Sequence, residues 1–63
     1  MRHYFRIYYL IPTREVMHKF KERFGCNVSV NGESYIYTDD KGKELLLESA
    51  KRGYIKIREY KEL

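Results

Sequence analysis

Soft metal-ligand side chains are scarce in this 63-residue chain, which has one cysteine and two histidines, Cys26, His3 and His18. They lie far apart, on separate predicted elements, without the short spacings that zinc sites use. His18 falls opposite the apolar stripe of its predicted helix, which indicates a solvated position. Cys26 alternates with Val28 and Val30, which is typical of a small core side chain. We therefore expect no metal site and no cofactor.

Acidic side chains offer a second possible chemistry, because Asp39 and Asp40 are adjacent. A carboxylate pair can serve acid–base or metal chemistry, but these two also stand where a helix N-cap is expected, and capping is the better explanation. Glu44 and Glu48 have the ordinary spacing of a solvated helix face. The chain has no nucleophile elbow, Walker loop or dinucleotide glycine motif. The glycine loop that acylphosphatases carry after their first strand is also missing, so we expect no enzymatic activity.

Tyrosine is the most informative residue type, with seven tyrosines against three phenylalanines and no tryptophan. A chain this short buries only about 60% of the surface that its unfolded form exposes, so its core is thin. Tyrosine suits such a core poorly, because each buried hydroxyl needs a hydrogen-bond partner. Several tyrosines alternate with arginines and lysines along the chain, which indicates a binding surface.

Local patterns in the first half of the chain predict a strand, a helix and a hairpin. Tyr4 to Ile11 is rich in aromatic and branched side chains and predicts a strand. Arg14 to Phe24 predicts a helix with Thr13 as N-cap and Gly25 as C-cap. The remaining segments are a strand over Cys26 to Val30, a hairpin turn at Asn31-Gly32 and a strand over Ser34 to Thr38.

The second half predicts a helix and a final strand. Lys41 to Arg52 follows two N-cap candidates and ends at Gly53, which predicts a second helix. An alternative makes Asp40 to Gly42 a hairpin turn and Lys43 to Glu48 a strand. Tyr54 to Tyr60 alternates and predicts the last strand.

The predicted order is strand, helix, strand, strand, helix, strand, in a single domain over residues 1–63. Right-handed crossovers fold this order most simply into a two-layer α+β domain of the ferredoxin-like βαββαβ type. Its four-stranded antiparallel sheet has both helices on one face. The first and third strands are central, and the last strand borders the first.

Strand periodicity then separates two faces of the sheet. The inward set comprises Phe5, Ile7, Tyr9, Ile11, Cys26, Val28, Val30, Ile36, Ile55 and Ile57. The outward set is the candidate site and comprises Tyr4, Arg6, Tyr8, Tyr35, Tyr37, Tyr54, Lys56, Arg58 and Tyr60. Only Tyr9 among the tyrosines is assigned to the core.

Such an outward face favours single-stranded RNA or DNA as the partner. Aromatic rings stack on bases and cations follow the phosphates. The arrangement resembles the RRM domain in architecture, and RRM domains read single-stranded RNA on an open four-stranded sheet. The stretch from Gly32 to Ile36 is similar to the third-strand motif of that family, with an incomplete aromatic pattern. The alternative is a homo-oligomeric interaction or regulatory module that self-associates through this face, because tyrosine and arginine are enriched in interface cores.

Charge and cysteine content bear on the setting of the protein. The net charge is +4, and both ends of the chain are basic while residues 24–49 are acidic. Basic ends that meet in the fold would form a basic surface for a polyanion. A single cysteine excludes an internal disulfide, and we expect the cytoplasm. No signal peptide is recognisable, no apolar run is long enough for a membrane span, and the charged share of 35% is compatible with a thermophilic source.

Overall fold

The computed structural model describes residues 1–63 as three strands and two helices. The elements are β1 (His3–Tyr9), α1 (Arg14–Phe24), β2 (Glu33–Thr38), α2 (Asp40–Lys51) and β3 (Ile55–Glu62). The strands form one sheet in the order β2-β1-β3, and both outer strands run antiparallel to β1. Neither helix is long and apolar enough to cross a membrane.

The predicted ferredoxin-like βαββαβ fold with four antiparallel strands is wrong. The order is β-α-β-α-β, and the segment from Cys26 to Val30 does not join the sheet. The neighbours of the first strand are nevertheless those expected, since β1 lies between β2 and β3. The domain is therefore an α+β fold with a narrower sheet than the sequence predicted.

Hydrogen bonds of Ser29, one through its backbone and two through its hydroxyl, explain why residues 26–30 form a loop. The Ser29 amide donates to the Glu33 carbonyl over 2.7 Å, and the Ser29 hydroxyl accepts from the Glu33 amide over 3.2 Å. The same hydroxyl donates to the amide oxygen of Asn31. Short polar side chains thus satisfy backbone groups that a strand would offer to a ladder. Val28 and Val30 are exposed and not inward as predicted.

Helix α1 has the predicted bounds and caps. The Thr13 hydroxyl accepts from the Val16 amide over 3.2 Å, which satisfies one of the free N–H groups of the first turn. Gly25 has a φ of 67°, a left-handed conformation that glycine adopts without steric cost. Its amide donates to the Lys21 carbonyl over 2.7 Å and closes the helix.

Helix α2 is a helix and not the alternative hairpin, and it runs one residue ahead of the predicted range at each end. The Asp39 carboxylate accepts from the Gly42 amide over 2.9 Å, as expected for an N-cap, and this bond lowers the pKa of Asp39. Glycine at position 42 is required by packing. A Cβ there would lie 1.7 Å from Thr38 Oγ1, so only glycine lets the helix start this close to the end of β2.

The core lies between the sheet and the helices and contains eight buried side chains. They are Phe5, Ile7, Tyr9, Phe20, Cys26, Ile36, Leu46 and Ile55. Ile11 was predicted to point inward, but it lies beyond the end of β1 and is exposed. Burial at about 25 cal/mol per Å² of apolar surface drives this packing, and the half-buried Val16, Met17, Phe24, Ala50 and Ile57 extend it.

A β-bulge interrupts the pairing of β1 with β3. Ile57 lies opposite Ile7 and Glu59 lies opposite Arg6, so Arg58 is the extra residue. A bulge of this kind shifts the alternation of the strand by one residue. Residues before Arg58 follow the predicted phase, whereas Tyr60 lies opposite the inward-facing Phe5.

Candidate nucleic-acid interface

The sheet face away from the helices, here called the open face, carries most of the predicted site. Its predicted members are Tyr4, Arg6, Tyr8, Tyr35, Tyr37, Lys56 and Arg58. The central strand β1 contributes three of these and the edge strands contribute the rest. This grouping follows from strand alternation, because β1 pairs with both neighbours in a continuous register from His3 to Arg6.

Tyr54 and Tyr60 are not on the open face, contrary to prediction. The bulge turns Tyr60 to the helix side, where its ring centroid lies 4.8 Å from that of Phe5. Tyr54 precedes β3 and lines a groove of about 410 Å³ between the helices, together with Phe20, Phe24 and Leu45. The open face therefore holds fewer tyrosines than the alternation predicted.

Exposed tyrosine rings lie on the β2 side of the open face. Tyr35 and Tyr37 are 50% and 59% exposed, the highest values among the tyrosines. Tyr37 contacts Tyr4 on β1, with the ring centroids 5.1 Å apart. Burial raises the pKa of Tyr4, and the negative charge of Glu59 raises it further. The Tyr4 ring thus packs against the Tyr37 ring, while the rings of Tyr35 and Tyr37 are exposed to solvent.

The Arg58 side chain crosses the central strand β1 and lies at the end of the open face that holds Tyr8 and Glu33. Its guanidinium carbon lies 5.6 Å from the Tyr8 ring centroid, a cation–π contact. Its Nε lies 3.2 Å from a Glu33 carboxylate oxygen on β2, and the Glu33 side chain is only 7% exposed. Arg58 and Tyr8 are therefore engaged within the protein, and neither is free to bind a ligand without breaking this contact.

Arg6 lies at the centre of the open face, between Tyr35 on β2 and Glu59 on β3. It is half-buried, and its Nε is buried without a hydrogen-bond partner. A buried polar donor without a partner is costly and uncommon in proteins. Lys56 is exposed beside Tyr8 and has no carboxylate in ion-pair contact.

Two further residues of the open face, Glu59 and Lys61, were not predicted from the sequence. The bulge brings them to this face, opposite Arg6 and Tyr4. Their charged groups are 3.9 Å apart. Strict alternation assigns Lys61 to the inward side, so no signal in the sequence would have found it without knowledge of the bulge.

A second polar cluster, here called the His3 cluster, lies on the helix side, comprises His3, Asp40 and Tyr60, and was also not predicted. His3 is 2% exposed, and its Nε2 lies 2.5 Å from Asp40 Oδ1 at the start of α2. Its Nδ1 lies 2.9 Å from the Tyr60 hydroxyl on β3. The hydrogen bond from His3 lowers the pKa of Asp40. The sequence could have placed His3 on the inward face, because His3 has the same strand phase as the inward Phe5 and Ile7.

His18 and Cys26 lie in the surroundings that the sequence predicted for them. His18 is on the surface, with Nε2 3.2 Å from Glu22 one helical turn away. Cys26 is buried in the core, where its thiol donates to the Phe20 carbonyl over 3.8 Å. No group of three or more histidine, cysteine or acidic side chains is placed to hold a metal ion.

The chain matches no protein family model, no curated protein and no solved structure. Fold alone does not determine function, because one architecture can support many activities. The function must therefore be inferred from the side chains of the open face and of the His3 cluster.

Proposed function

We propose that this protein binds single-stranded nucleic acid on its open face and has no enzymatic activity. The observation that carries the proposal is the pair of exposed rings, Tyr35 and Tyr37, on the same face as the cations Arg6, Lys56 and Lys61. Nonspecific binders of single strands combine these two features, rings that stack on bases and cations that follow the backbone.

Tyr35 and Tyr37 suit the stacking role because of their spacing. Residues two apart in a strand lie on the same face, about 7 Å from each other. An extended single strand can place successive bases at this separation. Tyr4 packs against Tyr37 and holds its ring in place, which lowers the entropic cost of ordering that side chain on binding.

Phosphates would lie along β1 and β3, on the basic side of the open face. Lys56 is exposed without an ion-pair partner, and Lys61 is 64% exposed with a weak contact to Glu59. The buried Nε of Arg6 lacks an acceptor, and a phosphate or base oxygen would supply one. Arg58 would contribute only after it leaves Glu33, so we assign it a secondary role.

Self-association through the open face is a second candidate function. The same unpartnered Arg6 Nε and the exposed Tyr35 and Tyr37 favour it, because tyrosine and arginine anchor many protein interfaces. A second copy would supply acceptors for Arg6 and cover both rings. The two functions compete for the same side chains.

We also propose a reducing compartment such as the cytoplasm. The single cysteine, Cys26, is a free thiol buried in the core, and small domains in oxidising compartments usually carry several disulfides.

Fluorescence anisotropy with labelled single-stranded RNA and DNA oligonucleotides tests the first proposal. We expect binding that weakens steeply with salt, because each phosphate contact releases counterions. The double variant Tyr35→Ala, Tyr37→Ala should bind at least about tenfold more weakly, since each stacked base contributes about 1–3 kcal/mol. Lys56→Gln should reduce the slope of log affinity against log salt by about one contact.

Tyr54→Ala is the matched control, because it removes an exposed tyrosine from the helix side and should leave affinity unchanged. Circular dichroism of each variant reports whether it is folded. Absence of binding at low salt, or equal losses in the control and the double variant, would refute nucleic-acid binding on the open face.

A further inference from the structure

Asp40, His3 and Tyr60 form a linear chain of hydrogen bonds on the helix side. A carboxylate accepts only, so Asp40 fixes the proton of the neutral imidazole on Nε2, over 2.5 Å. Nδ1 is then an acceptor, and the Tyr60 hydroxyl donates to it over 2.9 Å. A hydroxyl bonded to a base that a third group orients is the general arrangement of an activated nucleophile.

The side chains of this hydrogen-bonded chain differ in their exposure to solvent. His3 is 2% exposed, so water does not compete for its ring nitrogens, whereas the Tyr60 residue as a whole is 40% exposed. The Lys43 ammonium nitrogen lies 5.2 Å from the Tyr60 ring centroid. This is a cation–π contact over the ring face.

The other exposed tyrosines lack this arrangement. Tyr35 and Tyr37 are more exposed than Tyr60, but the hydroxyl of neither is bonded to a histidine. Tyr9 is hydrogen bonded to Ser34, but it is buried in the core. Among the tyrosines, Tyr60 alone combines partial exposure of the residue with a hydroxyl bonded to a histidine.

We propose that Tyr60 is a nucleophilic modification site that accepts an acyl group from an activated acyl donor. The Tyr60 oxygen attacks the carbonyl carbon while its proton moves to His3 Nδ1, and Asp40 stabilises the imidazolium that forms. The bond from the carbonyl carbon to the leaving group breaks, and the leaving group takes the proton from His3. The products are O-acyl Tyr60 and the protonated leaving group. The reaction is stoichiometric, and it is independent of the open face.

N-acetylimidazole, a neutral acyl donor, is the probe, and mass spectrometry of peptides gives the acetylation rate at each tyrosine. Tyr60 should react at least about tenfold faster than the more exposed Tyr37, because a positioned general base contributes about 10²–10⁴-fold.

His3→Gln should bring the Tyr60 rate down to that of Tyr37, and Asp40→Asn should lower it in part. Tyr37 in the same molecules is the internal control. Should His3→Gln not fold, the Tyr60 rate of Asp40→Asn decides the matter. A Tyr60 rate no higher than that of Tyr37, or one unchanged by Asp40→Asn, would overturn the proposal. Loss of oligonucleotide binding would not affect it.

Discussion

The Tyr9 hydroxyl is a polar group in a small core, and it requires a hydrogen-bond partner there. The Ser34 hydroxyl donates its proton to the Asn27 carbonyl over 3.1 Å, so Tyr9 donates to Ser34 over 2.9 Å. The expectation that the Tyr9 hydroxyl needs a partner is confirmed. Burial raises the pKa of Tyr9 to about 12 from an ordinary value of 10.0, because the phenolate is poorly solvated in the core.

Tyr9→Phe should lower the free energy of unfolding by about 1 kcal/mol at neutral pH, the usual net value of a lost hydrogen bond. The folded pKa of Tyr9 exceeds the unfolded one, so its contribution is complete below pH 10 and is lost as pH rises towards 12. Urea unfolding should therefore show a smaller alkaline loss of stability in Tyr9→Phe than in the original protein. The control Tyr35→Phe, at an exposed ring, should lose as much as the original, and parallel losses in all three proteins would contradict the prediction.

At the scale of elements, the bulge in β3 determines which residues share a surface. Arg58 is the extra residue, and its two neighbours in the chain, Ile57 and Glu59, pair with consecutive residues of β1 as they would in a regular ladder. The bulge brings Lys61 to the open face and Tyr60 to His3. It also leaves Arg58 free to cross β1 and reach Glu33.

Deletion of Arg58 should preserve the register of β3, because Ile57 would stay opposite Ile7 and Glu59 opposite Arg6. The variant should fold and keep the Tyr60–His3 hydrogen bond. It should lose about 1–3 kcal/mol of stability, because the buried Glu33 carboxylate loses its cation. Thermal unfolding and amide NMR shifts measure both effects.

Arg58→Ala is the matched control, since it removes the same contacts but retains the bulge. The two variants should be equally stable to within about 1 kcal/mol. Deletion of Lys56, by contrast, should unfold the protein, because it moves Ile55 to the other face of the strand. Unfolding of the Arg58 deletion alongside a folded Arg58→Ala would show that the bulge itself is required.

At the scale of the whole molecule, the three-stranded sheet brings the two basic ends of the chain together. β1 and β3 are adjacent, as expected, and carry Arg6, Lys56, Arg58 and Lys61 on the open face. Glu33 and Glu59 partly offset these charges. A sheet of this width offers one open face, so nucleic acid and a second copy of the protein cannot occupy it together.

Sedimentation velocity over a range of protein concentrations should reveal this competition. If self-association uses the open face, a short single-stranded oligonucleotide should dissociate the oligomer into complexes with one protein chain each. Tyr37→Glu should weaken both associations, because it places a carboxylate among the exposed rings. A monomer at high micromolar concentration would contradict self-association, and dimers that bind the oligonucleotide with undiminished affinity would show that the two surfaces differ.

Local patterns in the sequence were enough to predict the features that depend on residues close together in the chain. The bounds and caps of α1, the choice of a helix for α2 and the faces of β1 and β2 follow from capping groups and alternation. Seven of the nine predicted site residues share the open face for the same reason.

Only the tertiary structure decided the width of the sheet, the bulge and the His3 cluster. Residues 26–30 alternate like a strand, but the hydrogen bond that the Ser29 hydroxyl accepts from Glu33 and the one that Ser34 donates to Asn27 keep them in a loop. The bulge at Arg58 depends on pairing with a strand about fifty residues earlier, and it changes the face of every residue after it. His3, Asp40 and Tyr60 meet because β1, α2 and β3 converge at one corner. Alternation is a local property, whereas register and convergence arise from contacts between distant segments, and no short window of the sequence contains them.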